Sequence, residues 1–120
     1  MAMARLDLPS VIMFGGAALP GRYLDRDITL QDVYEAVGAH AAGTISDDDL
    51  RAIETAACPS AGAGAGQFSA NTMASVSEAI GLAVPGSAGL PAPYGARDHF
   101  AHKAGVTVMD LLDRDIRPRD

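Results

Sequence analysis

The apolar positions of the chain change period several times, and each change marks an element. Pro9 precedes Ser10-Val11-Ile12-Met13-Phe14, an apolar run closed by Gly15-Gly16. A short, partly β-branched run between breakers predicts a buried strand. From Ala17 to Arg26, Pro20-Gly21 predicts a loop. Leu30, Val33, Tyr34 and Val37 then recur at i, i+3, i+4 and i+7, which predicts a helix capped by Asp27 or Thr29 and ended by Gly43. Ser46 followed by three aspartates predicts a second helix, with Ser46 as cap and Asp49 at the capping-box position. Its core positions are Leu50 and Ile53, and Pro59 stops it. A third helix starts at Ser69 or Asn71, carries Met73, Val76 and Ile80 on one face, and ends at Pro85-Gly86. Residues 85–95 are too rich in Pro and Gly for regular structure. A last helix spans about Ala96 to Asp115, with Phe100, Ala104, Val108 and Leu111 as its apolar stripe. The outline is a mainly helical α+β fold of about four helices and one or two short strands, in one small domain over residues 1–120.

Composition narrows the partners. With 120 residues and a formal net charge of −6, the chain lacks the basic face that nucleic acid or an anionic membrane requires. No apolar run approaches the ~20 residues of a membrane span, and the N-terminal residues lack the apolar core of a signal peptide. The expected location is cytoplasmic. One cysteine excludes an intramolecular disulfide and offers no metal-binding spacing.

Between the second and third helices lies Ala57-Cys58-Pro59-Ser60-Ala61-Gly62-Ala63-Gly64-Ala65-Gly66-Gln67-Phe68-Ser69-Ala70-Asn71-Thr72-Met73. A glycine-alternating loop entering a helix offers bare backbone N–H groups where the helix dipole favours negative charge. The expected substrate-binding residues are therefore Ser60, Gly62, Gly64, Gly66, Gln67, Ser69 and Asn71. Their N–H donors suit a carboxylate or oxyanion. The alternative is an inherited loop kept only for close helix packing.

This segment resembles the A-C-P-G-x-G-x-C-G-G-M-Y-T-A-N-T-M signature of the dihydroxy-acid and sugar-acid dehydratase family. Leu8 to Gly16 resembles that family's L-P-x-I-M-V-x-G-G strand. Val33-Tyr34-Glu35-Ala36-Val37-Gly38, Gly43-Thr44-Ile45-Ser46, Glu78-Ala79-Ile80-Gly81-Leu82 and Asp113 to Arg119 follow in family order. The resemblance covers essentially the whole chain, as one internal segment of the N-terminal half of much longer enzymes. It implies dehydration assisted by an iron–sulfur cluster on three cysteines and a magnesium ion. One of those cysteines falls on Gly64, and Cys58 matches a family cysteine that is not a ligand. One thiol cannot hold a cluster. Neither cluster nor magnesium is expected in this chain, and no metal ligand is assigned.

Other side chains have plainer readings. Cys58 is expected to be a buried, inert thiol, lacking a visible cationic neighbour. His99 and His102 share a face of the last helix beside Asp98. They suit either acid–base work or, more simply, a solvated surface. His40 reads as a partner of a helix C-terminus, and Asp47 to Asp49 as capping residues. Tyr34, Glu35 and Glu78 fit helix-surface or edge roles equally well. The candidate catalytic residues are Asp25, Asp27, His99 and His102.

Three roles follow. The preferred one is a stand-alone, cluster-free derivative of the family: a small lyase-like enzyme doing elimination or cyclisation by acid–base chemistry on a hydroxylated or carbonyl substrate in a biosynthetic pathway. The others are a non-catalytic ligand- or partner-binding domain, and a fragment of a longer dehydratase. A fragment of an active dehydratase would be expected to keep cysteine at position 64. A lone strand and uncovered helix faces further predict a homo-oligomer.

Overall fold

The computed structural model describes residues 2–120. It contains five helices and one two-stranded antiparallel sheet, a mainly helical α+β fold. The elements are α1 (Ala2–Leu6), β1 (Gly21–Tyr23), β2 (Arg26–Ile28), α2 (Leu30–Ala41), α3 (Asp47–Ala56), α4 (Ser69–Ala79) and α5 (Arg97–Asp113). They divide into two compact units. One comprises Gly15–Phe68 with Pro91–Pro93; the other holds Ser69–Leu90, Tyr94–Asp120 and the N-terminal stretch up to Phe14.

In the Gly15–Phe68 unit, β1 and β2 form a hairpin with Gly21 opposite Ile28, Arg22 opposite Asp27 and Tyr23 opposite Arg26. Its two turn residues, Leu24 and Asp25, both take positive φ, +46° and +61°. That is the handedness a two-residue turn needs to match strand twist. The expected loop over 17–26 is thus partly a hairpin. Its usual Asn-Gly signal is missing, because Leu-Asp fills the turn instead.

Both capping boxes in this unit form. Thr29 and Asp32 bracket the start of α2, and Ser46 and Asp49 that of α3. The core joins Ile28, Ala36, Ile53 and Ala57, flanked by Tyr23, Val33, Ile45 and Leu50. Gly21 permits the approach of hairpin and helix: a Cβ there would lie 1.6 Å from the Ala56 carbonyl oxygen.

In the other unit, the strand expected over Ser10 to Phe14 shrinks to one parallel bridge, Ile12 to Ala83, with Ile12 N–H donating to the Leu82 carbonyl. One further expectation inverts. Met73 and Val76 on α4, and Ile80 just past its end at Ala79, are exposed, and the buried positions are Ala74 and Ser77. Small residues let α4 pack closely inside its own unit, which leaves the large apolar stripe outside. On α5 the expected stripe holds, with Phe100, Ala104, Val108 and Leu111 half-buried.

Candidate functional site

The glycine loop is built against the extended segment Gly16–Leu19. Ala63 N–H donates to the Gly16 carbonyl at 2.9 Å, and Ala18 N–H donates to the Gly64 carbonyl at 3.0 Å. Ser60 adds a side-chain tie, its Oγ accepting Leu19 N–H at 2.8 Å. Ala92 N–H donates to the Ala17 carbonyl, so the 91–93 stretch also bonds to this segment. Gly62 has φ +142°, and a Cβ there would sit 2.2 Å from Ala18 N. Only glycine fits at that crossing.

Gly64 also has positive φ, +84°, while Ala63 and Ala65 do not. Alternating handedness of this kind turns successive N–H groups toward one side, the arrangement of an anion-binding nest. Among the described residues, the N–H groups of Gly64, Ala65, Gly66 and Gln67 have no hydrogen-bond partner. Ala65 is buried, at 5% exposure, so an unanswered N–H there costs free energy until an acceptor arrives. The Phe68 ring lies against the loop, 3.1 Å from where a Gly66 Cβ would be and 3.6 Å from a Gly64 one.

Of the expected binding residues, Ser60, Gly62, Gly64, Gly66 and Gln67 thus meet in one loop. Ser60 acts in it as an anchor, since its hydroxyl is engaged by Leu19 and by the Ala61 carbonyl. Ser69 and Asn71 stand in the first turn of α4, in the other compact unit. Asp25 occupies the hairpin turn with a fully exposed side chain, 3.9 Å from Arg22 Nη2. Asp27 is exposed on β2. Neither carboxylate bonds to the loop among the described residues. His99 and His102 are exposed on α5, and the His99 ring meets Phe100 edge-on. Cys58 is exposed, where a buried thiol was expected: it lies past the end of α3, and the buried position there is Ala57.

Several contributors gave no sequence signal. The 16–19 segment carries no side-chain chemistry and acts through its backbone. Glu78 does more than decorate a helix surface: its two carboxylate oxygens accept the N–H groups of Gly86 at 2.7 Å and Ala88 at 3.0 Å. These bonds, Gly86 first, hold its pKa below the ordinary carboxylate value. Arg97 is buried at the start of α5, with Nη1 donating to the Leu90 carbonyl. An acid seven residues before the Pro85-Gly86 break is the one legible hint among these.

A chain with this loop, these capped helices and this order of motifs is of the dehydratase class described above. It belongs to the dihydroxy-acid/6-phosphogluconate dehydratase family, whose N-terminal region matches residues 1–120. It is 60% identical over its full length to a dihydroxy-acid dehydratase of Parvibaculum lavamentivorans, and 62% identical to one of Pelagibacter ubique. A dihydroxy-acid dehydratase of Sulfurisphaera tokodaii is 50% identical over the same 120 residues. The chain spans about a fifth of the length of these curated relatives, 21% in each case.

The cluster implied by the resemblance does not fit the residues present. Among the described residues, no three His, Cys, Asp or Glu side chains come together to hold a metal ion. At position 64 the loop offers a glycine in a left-handed conformation, with its carbonyl already bonded to Ala18. At position 64 the loop therefore offers backbone groups and no thiol. No helix among the described residues is long and apolar enough to cross a membrane.

Proposed function

We propose that this chain is the glycine-loop segment of a dihydroxy-acid dehydratase-type lyase, and that its part is to hold the substrate's carboxylate with the N–H groups of Gly64 to Gln67. The observation that carries this is the set of unanswered N–H donors on a loop tied by three hydrogen bonds to Gly16, Ala18 and Leu19. Oriented donors of this kind neutralise charge without reorganising during a reaction. The relatives' name supplies the substrate class, a dihydroxy acid, and elimination of water as the reaction.

The match to about a fifth of each relative favours a segment over the self-sufficient lyase or cyclase expected from sequence alone. In a segment, the acid–base groups need not all lie within these 120 residues. Asp25 and Asp27, in the loop's own unit, remain candidates for proton transfer. A cytoplasmic location suits the same reading.

The test is a titration of the 120-residue chain with a 2,3-dihydroxy carboxylate, followed by amide proton and nitrogen shifts. Saturable shifts confined to Gly64, Ala65, Gly66 and Gln67, with Ala63 unmoved because it already donates to Gly16, are expected. Shifts spread evenly over the chain, or none at saturating ligand, would refute carboxylate binding by the loop.

A further inference from the structure

A cavity of about 200 Å³ lies wholly within the unit that holds α4 and α5. Its apolar walls are Val11, Leu82, Val84 and Leu111, the first three brought together around the bridge between Ile12 and Ala83. Lys103 also lines it, and is the one charged side chain that does. Two hydroxyls reach the lining, but both protons are already donated. Ser10 Oγ donates to the Leu8 carbonyl at 2.7 Å, and Thr107 Oγ1 to the Lys103 carbonyl at 2.8 Å. The cavity therefore combines an apolar wall with one uncommitted side-chain donor, the Lys103 ammonium.

Lys103, the only lysine of the chain, forms no ion pair among the described residues. A smaller cavity of about 60 Å³ shares Ser10, Gly81, Leu82 and Leu111 with the first and reaches Arg117. That guanidinium is already answered, with Nη2 donating to Asp115 Oδ1 at 3.1 Å. The free positive charge thus lies at the Lys103 end alone. Lys103 is itself exposed, as an ammonium at the mouth of an apolar hollow is. A hollow of this kind, with one placed charge, suits a ligand with a hydrocarbon body and a single anionic end.

We infer that this cavity binds a short aliphatic carboxylate, its anion on Lys103 Nζ and its chain against Val11, Leu82, Val84 and Leu111. At about 30 Å³ for each water-sized group, the space takes about seven such groups, a carboxylate of about five carbons. No residue of the glycine loop takes part, since that loop belongs to the other compact unit.

The 120-residue chain is titrated with propanoate, butanoate, pentanoate and hexanoate, followed by methyl and amide shifts. Saturable shifts at Val11, Leu82, Val84 and Leu111 are expected, with affinity rising roughly fourfold per methylene up to pentanoate. Pentanamide, which lacks the charge, should bind roughly tenfold more weakly or worse, and Lys103→Met should weaken pentanoate by a similar factor. Affinity independent of chain length, or equal for acid and amide, would overturn the inference.

Acylation of Lys103, read by mass spectrometry, makes the comparison without a substitution. It is run on the free chain and on the Parvibaculum lavamentivorans dehydratase with this chain exchanged for its corresponding segment. Pentanoate at ten times its dissociation constant should slow the labelling roughly tenfold in both, and pentanamide at the same concentration should not. A Lys103 that resists labelling in the long polypeptide without any ligand would mean the cavity is filled there, and would overturn the inference. The amides of Gly64 to Gln67 report on the loop separately, so failure here and failure of the loop titration are distinguishable.

Discussion

Ser60 Oγ accepts the backbone N–H of Leu19 at 2.8 Å across 41 residues of chain, and this bond pins the entrance of the glycine loop to the segment that organises it. Ser60→Ala leaves that part-buried N–H without an acceptor, at a cost of about 1 kcal/mol. Urea unfolding of the variant should show that loss, and amide exchange should accelerate first at Leu19. Unchanged exchange at Leu19 would mean the serine is ornamental.

Two glycines two residues apart should respond unequally to alanine. At Gly62 the new Cβ would sit 2.2 Å from Ala18 N, a backbone atom that cannot move without breaking the Ala18-to-Gly64 bond. At Gly64 the nearest obstacle is Phe68 Cδ2 at 3.6 Å, ordinary contact. The cost there reduces to the left-handed backbone, about 1–2 kcal/mol. Gly62→Ala should therefore be the more destabilising of the pair, measured by chemical denaturation. The reverse order would contradict the loop geometry.

These positions also show how far the sequence could be read. Capping chemistry was legible because it is local: Ser46 and Asp49, or Thr29 near the start of α2, are set by residues three apart. The glycine loop was legible as a loop. Its partner, Gly16 to Leu19, was not, since a backbone edge leaves no mark in side-chain type. The hairpin at 21–28 escaped because Leu24 and Asp25 take positive φ without glycine or asparagine. The third helix starts at Ser69 as expected, but it ends at Ala79 rather than at Pro85-Gly86 and is turned the wrong way. Apolar periodicity gives a face its identity, whereas Ala74 and Ser77 show that close packing by small residues decides which face goes inward. Asp25 and Asp27 were chosen for their charge and loop setting, and the hairpin turn holds the Asp25 side chain in solvent.

Glu78 gives a pH prediction. The Gly86 and Ala88 N–H groups favour its ionised form, so its folded pKa lies below the unfolded value. The stability it contributes is present above the usual carboxylate pKa and is lost as pH falls through the lowered folded one. Thermal unfolding followed from neutral pH down through and below about pH 4.5 should therefore show a declining acid limb. Glu78→Gln should make that limb shallower without abolishing it. Asp32 and Asp49 are lowered as well, first by the Thr29 backbone N–H and by the Ser46 hydroxyl respectively. An acid limb identical in Glu78→Gln and the parent would show that the Pro85-to-Leu90 loop does not depend on this carboxylate.

The central claim is that the glycine loop offers amide donors, and at position 64 no thiol, to a dehydratase-type site, and iron content tests it most directly. The chain is exchanged for the corresponding segment of the Parvibaculum lavamentivorans dehydratase, once with Gly64 and once with Gly64→Cys, and bound iron per polypeptide is measured beside turnover of a dihydroxy acid. With Gly64 in place of a direct cluster ligand, iron retention and turnover are expected to fall by more than the roughly 10-fold that loss of an outer-shell partner costs. Gly64→Cys should recover both. A Gly64 form that holds the full iron complement and turns over at the parent rate would contradict the claim.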